Sequence, residues 1–285
     1  MDTSQDDIPQ LNLSASEALN TEPITPRLKR SLEQLLAHFV TDPQSLISVL
    51  SHTGSLITGD AALTFMLFPD TCPKPPSLKI SCPMHQYDAV IAYFTGSPCT
   101  SITKTNALDH LNVHILDRTQ GILSNTIVQN THGIIDVVQS NCHSAYHPIP
   151  FQKGTHLMNV LSPAFFICPY PNLTAKRITI IPDTPSGTDH TAVSPWLDQL
   201  HFTCLSSPCA LYDLRESCYN FHACSKRVRT FGDDGTMLIT FGAADDNSVT
   251  DPLSTCTAWR LGGWPCGNRR CFLEINRSVE TFVDT

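Results

Sequence analysis

The chain has 285 residues, 41% of them hydrophobic and 15% charged, with a formal charge of −8. That length and apolar content suit one large domain or two small ones, either able to bury a real core. Five of the negative charges (Asp2, Asp6, Asp7, Glu17 and Glu22) fall in residues 1–25, which hold no Lys or Arg; the acidic balance argues against a dedicated nucleic-acid binder. The start MDTSQDDIPQ lacks an apolar leader segment, and apolar runs such as 61–68 are far too short to span a bilayer. These features predict an intracellular protein whose twelve cysteines are reduced, as buried thiols or metal ligands.

In chain order, residues 1–25 are polar, acidic and without periodicity, and read as a disordered tail. Thr25-Pro26 resembles a helix start, followed by Leu28, Leu32, Leu35, Leu36 and Phe39 at amphipathic helical spacing. Asp42-Pro43 opens a second helix with Leu46, Ile47 and Leu50 inward. A short strand at 55–58 runs into the turn Gly59-Asp60, with Asp60 as N-cap of a mostly apolar helix from Ala61. A strand follows at 78–81 and a helix at 83–94, while 96–106 is loop-like. LNVHIL (111–116) alternates as a third strand. Helical patterns recur at 134–139 and 155–161, and AFFICPYP (164–171) reads as a strand closed by prolines. Residues 182–195, rich in Pro, Ser, Thr, Gly and Asp, form the best linker. The last ninety residues hold seven cysteines, a strand at 235–241 and a turn at 260–264.

The strand–Gly–helix–loop–strand order over GSLITGDAALTFMLFPDTCPKPPSLKISCP (54–83) resembles the opening of the nucleotidyltransferase superfamily. More narrowly, TGSLITGDAAL, SLKISCP, HLMNVLSPAFFICPYPNLTAKR, CSKRVRTFGDDGTMLITF and AWRLGGWPCG look like elements of a group of uncharacterised basidiomycete fungal proteins with a nucleotidyltransferase-like domain. The resemblance spans about 46–264. It implies a Gly-Ser turn for a nucleotide phosphate, two carboxylates separated by one residue on the second strand, and a third from a neighbouring strand. Together these would hold the Mg²⁺ ions that clamp a triphosphate. In this chain the turn is Gly59-Asp60, the paired positions are Ser77 and Lys79, and the third is at or near Asn112. Neutral oxygens are poor partners for a hard dication, and an ammonium offers no acceptor. A carboxylate at position 60 opposes a phosphate about 5 Å away by roughly 3 kcal/mol at an effective dielectric of ~20. Without the resemblance, Lys79 is a solvated strand residue paired with a carboxylate, and Ser77 and Asn112 are polar strand residues. Asp88, Asp109 and Asp117 are the other acidic residues nearby, none with the one-residue strand spacing.

Cys218 and Cys224, with His222 between them, and Cys266 and Cys271 are the zinc-ligand candidates, at spacings looser than common zinc knuckles. Lys226, Arg227 and Arg229 form the most basic cluster and are the candidates for nucleic-acid contact. Together these readings predict an α/β (α+β) fold, a nucleotidyltransferase-like small mixed sheet flanked by helices, with a cysteine-rich C-terminal extension. The expected divisions are a tail (1–25), the nucleotidyltransferase-like domain (26–181), a linker (182–195) and a C-terminal region (196–285) packed on the first domain. The expected function is that of a non-catalytic pseudoenzyme with degenerate positions Gly59, Asp60, Ser77, Lys79 and Asn112, acting through a protein partner without a cofactor. Two alternatives stand beside it. One is an active Mg²⁺-dependent nucleotidyltransferase with relocated carboxylates; the other is a zinc-stabilised module associated with nucleic acid.

Overall fold

The computed structural model describes residues 24–96, 101–106, 121–181, 195–206, 211, 222–224, 227–241, 257–261 and 280–282. Helix α1 (Ile24–Ala37) buries Leu32, Leu35 and Leu36, and Phe39 is buried just beyond its end. Each such side chain contributes about 1.5–3 kcal/mol when fully removed from water. Helix α2 (Pro43–Thr53) is capped at both ends: Asp42 accepts from Ser45 N, Pro43 occupies the first turn, and Gly54 takes the left-handed conformation at φ 64°. Strand β1 (Leu56–Thr58) is buried on both faces and leads into helix α3 (Asp60–Leu67). Strand β2 (Ser77–Cys82) follows, then a 3₁₀ turn (Met84–Gln86) and helix α4 (Tyr87–Thr95).

Four strands come next: β3 (Ser101–Asn106), β4 (Ile122–Gln129), β5 (Ile134–Ser140) and, after the 3₁₀ turns Ile149–Phe151 and Thr155–Met158, β6 (Val160–Leu161). Strand β7 (Phe165–Cys168) leads to a short helix (Pro171–Ala175) and β8 (Ile178–Ile180). The remaining elements are a helix (Pro195–Gln199) and strands β9 (Thr203–Leu205), β10 (Arg229–Thr230), β11 (Met237–Thr240), β12 (Ala258–Arg260) and β13 (Glu280–Phe282).

The protein is a mixed α/β structure around one eight-stranded sheet in the order β11-β7-β6-β1-β2-β5-β4-β3. All its neighbours pair antiparallel except β2 and β5, which run parallel. A parallel pair needs a crossover, here supplied by α4 and the β3–β4 hairpin. Strands β8 and β9 pair in parallel, and β10, β12 and β13 form a third sheet. No helix among the described residues is long and apolar enough to cross a membrane.

The pleat sorts side chains into two cores. Ile57, Leu78, Ile80, Cys82, Ile135, Val137, Phe166 and Cys168 pack with the four helices on one face. Leu56, Val160, Phe165 and Ile167 pack on the other with Tyr146, Ile149, Phe231 and Trp259. The C-terminal chain enters both cores: β11 is an edge of the main sheet, Phe241 joins the helical side, and Trp259 joins the opposite side.

Several expectations change. Residues 134–139 form a strand, not a helix. The run Ile-Ile-Asp-Val-Val satisfies a short helical pattern, but four β-branched residues favour the pleated form once both edges pair. The 155–161 segment is one 3₁₀ turn followed by β6, with Asn159 Nδ2 donating to His156 O at 2.9 Å. Part of the expected 96–106 loop is the edge strand β3. Helix α1 begins at Ile24, inside the expected tail. The 111–116 strand and nearly all of the 182–195 linker lie outside the described residues.

Candidate functional site

Because Leu78, Ile80 and Cys82 of β2 enter the helical core, Ser77, Lys79 and Ser81 project from the opposite face of the sheet. Lys79 lies between Thr58 of β1 and Asp136 of β5, its register partners on either side. Both edges of β2 at Lys79 are therefore occupied, and the acidic neighbour is Asp136 of β5, where the sequence pointed to Asn112. Asn112 itself lies outside the described residues.

The Lys79 ammonium is 3.3 Å from Asp136 Oδ2, with side-chain exposures of 28% and 15%. It also reaches Gln152 Oε1 at 3.5 Å, from the loop that follows Ile149–Phe151. The second oxygen of Asp136, Oδ1, is buried without a hydrogen-bond partner. Such a carboxylate favours a nearby cation, and Lys79 supplies it.

Gly59 links β1 to α3 at φ 69° and ψ −145°, a region open to glycine and strained for other residues. Its N donates to Leu157 O at 3.2 Å, and its O accepts from Leu63 N at 3.0 Å. A Cβ there would lie 3.7 Å from Lys79 Cβ, so turn and lysine are in van der Waals range. Asp60 is not the N-cap. It is the first helical residue, Gly59 holds the cap position without a side-chain bond, and Asp60 Oδ1 is buried and unpartnered. Burial raises the Asp60 pKa, and the Lys79 charge opposes that rise. One ammonium thus serves two carboxylates, Asp136 by direct contact and Asp60 through its field.

Of the five degenerate positions, Gly59, Asp60 and Lys79 come together, Ser77 shares the lysine's face of β2, and Asn112 is outside the described residues. Asp136 and Gln152 escaped the sequence reading. A lone carboxylate within Ile-Ile-Asp-Val-Val is unusual enough in a buried strand to have signalled Asp136; nothing in the sequence singles out Gln152. As built, the cluster discourages either kind of ion. Lys79 places a positive charge against Asp136 Oδ2 where a dication would otherwise sit, while Asp60 places negative charge at the helix start where a phosphate would approach.

The basic cluster is not a nucleic-acid surface at Arg229. That side chain is fully buried; it donates to Asp233 Oδ2 at 2.6 Å and Oδ1 at 2.9 Å, to Pro169 O at 2.7 Å and to His222 O at 2.8 Å. Its guanidinium also stacks 4.8 Å from the Tyr170 ring centre. Burial alone would raise the Asp233 pKa, but the bonds and charge of Arg229, with the backbone donors Thr230 N and Gly235 N, together outweigh it and hold the carboxyl below its ordinary value. Arg227 pairs with Asp234, and Lys226 lies outside the described residues.

His222, Asp233 and Asp234 have ligand atoms within 4.8 Å of one another. The Asp233 oxygens already accept from Arg229, Thr230 N, Gly235 N and Thr236 Oγ1. Of the zinc candidates, Cys218, Cys266 and Cys271 lie outside the described residues and Cys224 is buried. Cys72, Cys82 and Cys168 are free, and burial raises their pKa values to about 11, 12 and 11. At neutral pH these three are protonated, poorly nucleophilic thiols.

What the fold and this cluster define is a mixed α/β protein with a lysine–carboxylate pair, Lys79 and Asp136, on one sheet face and a second carboxylate, Asp60, at the start of the adjoining helix. No family model, curated protein or solved structure matches the chain.

Proposed function

We propose that the chain is a nucleotidyltransferase-like protein that has lost catalysis and acts by binding a protein partner. The observation that carries the reading is Lys79 facing Asp136 across the parallel pair β2–β5. The resemblance calls for two carboxylates on the second strand and one on a neighbouring strand. Asp136 supplies a carboxylate on such a neighbour, while Ser77 and Lys79 stand at the other two positions. The ammonium neutralises in place the charge that a metal would otherwise neutralise. The order β1-β2-β5, with the glycine turn between β1 and α3, also accords with the resemblance.

The test is the unfolding temperature of the full chain with each nucleoside triphosphate, with and without Mg²⁺. The proposal expects no Mg²⁺-dependent rise. A rise that disappears in Asp136→Asn would favour instead the active enzyme with relocated carboxylates.

A further inference from the structure

Two histidines outside the Lys79 cluster face each other. His85 lies in the 3₁₀ turn after β2, and His143 in the turn after β5. Because β2 and β5 run parallel, the two turns leave the sheet side by side. Met84 N donates to Cys142 O at 2.9 Å, and Gln139 Nε2 donates to Met84 O at 3.0 Å, so the residues next to both histidines are fastened together. The His85 and His143 Nδ1 atoms are 3.2 Å apart, with ring centres 5.1 Å apart and planes tilted by 55°. Both residues are exposed.

We propose that His85 and His143 form a surface site for a borderline transition-metal dication such as Zn²⁺ or Ni²⁺, with both Nδ1 atoms as ligands. A tetrahedral Zn²⁺ about 2.0–2.1 Å from each nitrogen sets its ligand atoms roughly 3.3 Å apart, and cis positions on a square-planar or octahedral Ni²⁺ set them roughly 2.9 Å apart; the 3.2 Å present lies between the two. Paired imidazoles suit Zn²⁺, Ni²⁺ and Cu²⁺ and disfavour Mg²⁺ and Ca²⁺. In the metal-free pair, a hydrogen bond between the rings requires one Nδ1–H and one Nδ1 lone pair. Metal binding moves the donor ring's proton to Nε2, leaving both lone pairs on the ion. Among the described residues no third His, Cys, Asp or Glu completes a set with them. The remaining positions on the ion go to water or to a donor from outside the chain. This inference does not depend on the nucleotidyltransferase reading.

The experiment is calorimetric titration of the tag-free full chain with Ni²⁺ under a non-chelating reductant, beside His85→Ala and His143→Ala. Wild type should take up one ion that a chelator removes, and each variant should bind about tenfold more weakly or worse. Ni²⁺ should also raise the unfolding midpoint of wild type and of neither variant; the midpoints in chelator report whether the variants fold. His85→Gln serves as a second variant if alanine disturbs the turn. Unchanged affinity in the variants would place the ion on cysteines or elsewhere and overturn the proposal, as would no uptake by wild type.

Discussion

Lys79 is the residue on which the cluster turns. It satisfies Asp136 directly and moderates Asp60, two carboxylates that each keep a buried oxygen without a hydrogen bond. Asp60 gives a pH-dependent consequence. Its folded pKa lies above its unfolded value, so the folded state holds a proton that the unfolded chain has already released. Stability contributed by the protonated carboxyl is fully present below the unfolded value and is lost as pH rises through the folded one. Asp60→Asn removes this loss, so the variant should gain on wild type as pH rises from about 4. Urea unfolding of both proteins across that range measures it; a difference that shrinks with rising pH would contradict the assignment. The cluster was only partly legible in the sequence. Gly59, Asp60, Ser77 and Lys79 are positions the resemblance implies, but Asp136 hides in a run whose short apolar pattern fits helix and strand equally.

At the level of elements, the sequence spelled out those whose signals are local. Helices α1 and α2 follow from leucine spacing and from Asp42-Pro43. Strand β7 follows from a continuous apolar run between prolines. Elements whose conformation depends on distant partners did not show: β5 is a strand because β2 and β4 pair with it, and β6 has two residues made a strand by β1 and β7. The joint between β7 and the C-terminal chain is of the same kind. Arg229, in β10, gathers Asp233, Pro169 and His222 around one buried guanidinium, over Tyr170, whose hydroxyl accepts from Trp259 Nε1 at 3.0 Å. From sequence, Lys226, Arg227 and Arg229 look like one solvated basic run; burial separates Arg229 from the half-buried Arg227. Arg229→Met leaves Asp233 without its cation and should cost about 3–5 kcal/mol in denaturant unfolding. A cost below about 1 kcal/mol, the value of an exposed pair, would show that the joint is not closed in solution.

Across the whole molecule, one sheet separates two cores, with helices α1 to α4 on one side and the C-terminal strands with the 142–158 loops on the other. The Lys79 cluster lies on the second side, roofed in part by Gln152 from those loops. One ammonium partly offsets the two carboxylates and stands where a metal's charge would, which is why the proposal assigns binding rather than metal-dependent transfer. The most direct test is calorimetric titration of Mn²⁺, as a stand-in for Mg²⁺, with a nonhydrolysable triphosphate into wild type, Asp136→Asn and the double variant Ser77→Asp/Lys79→Asp. The account predicts no binding dependent on Asp136 in wild type, and cation uptake in the double variant once three carboxylates replace the lysine bridge. Wild-type uptake abolished by Asp136→Asn would contradict it.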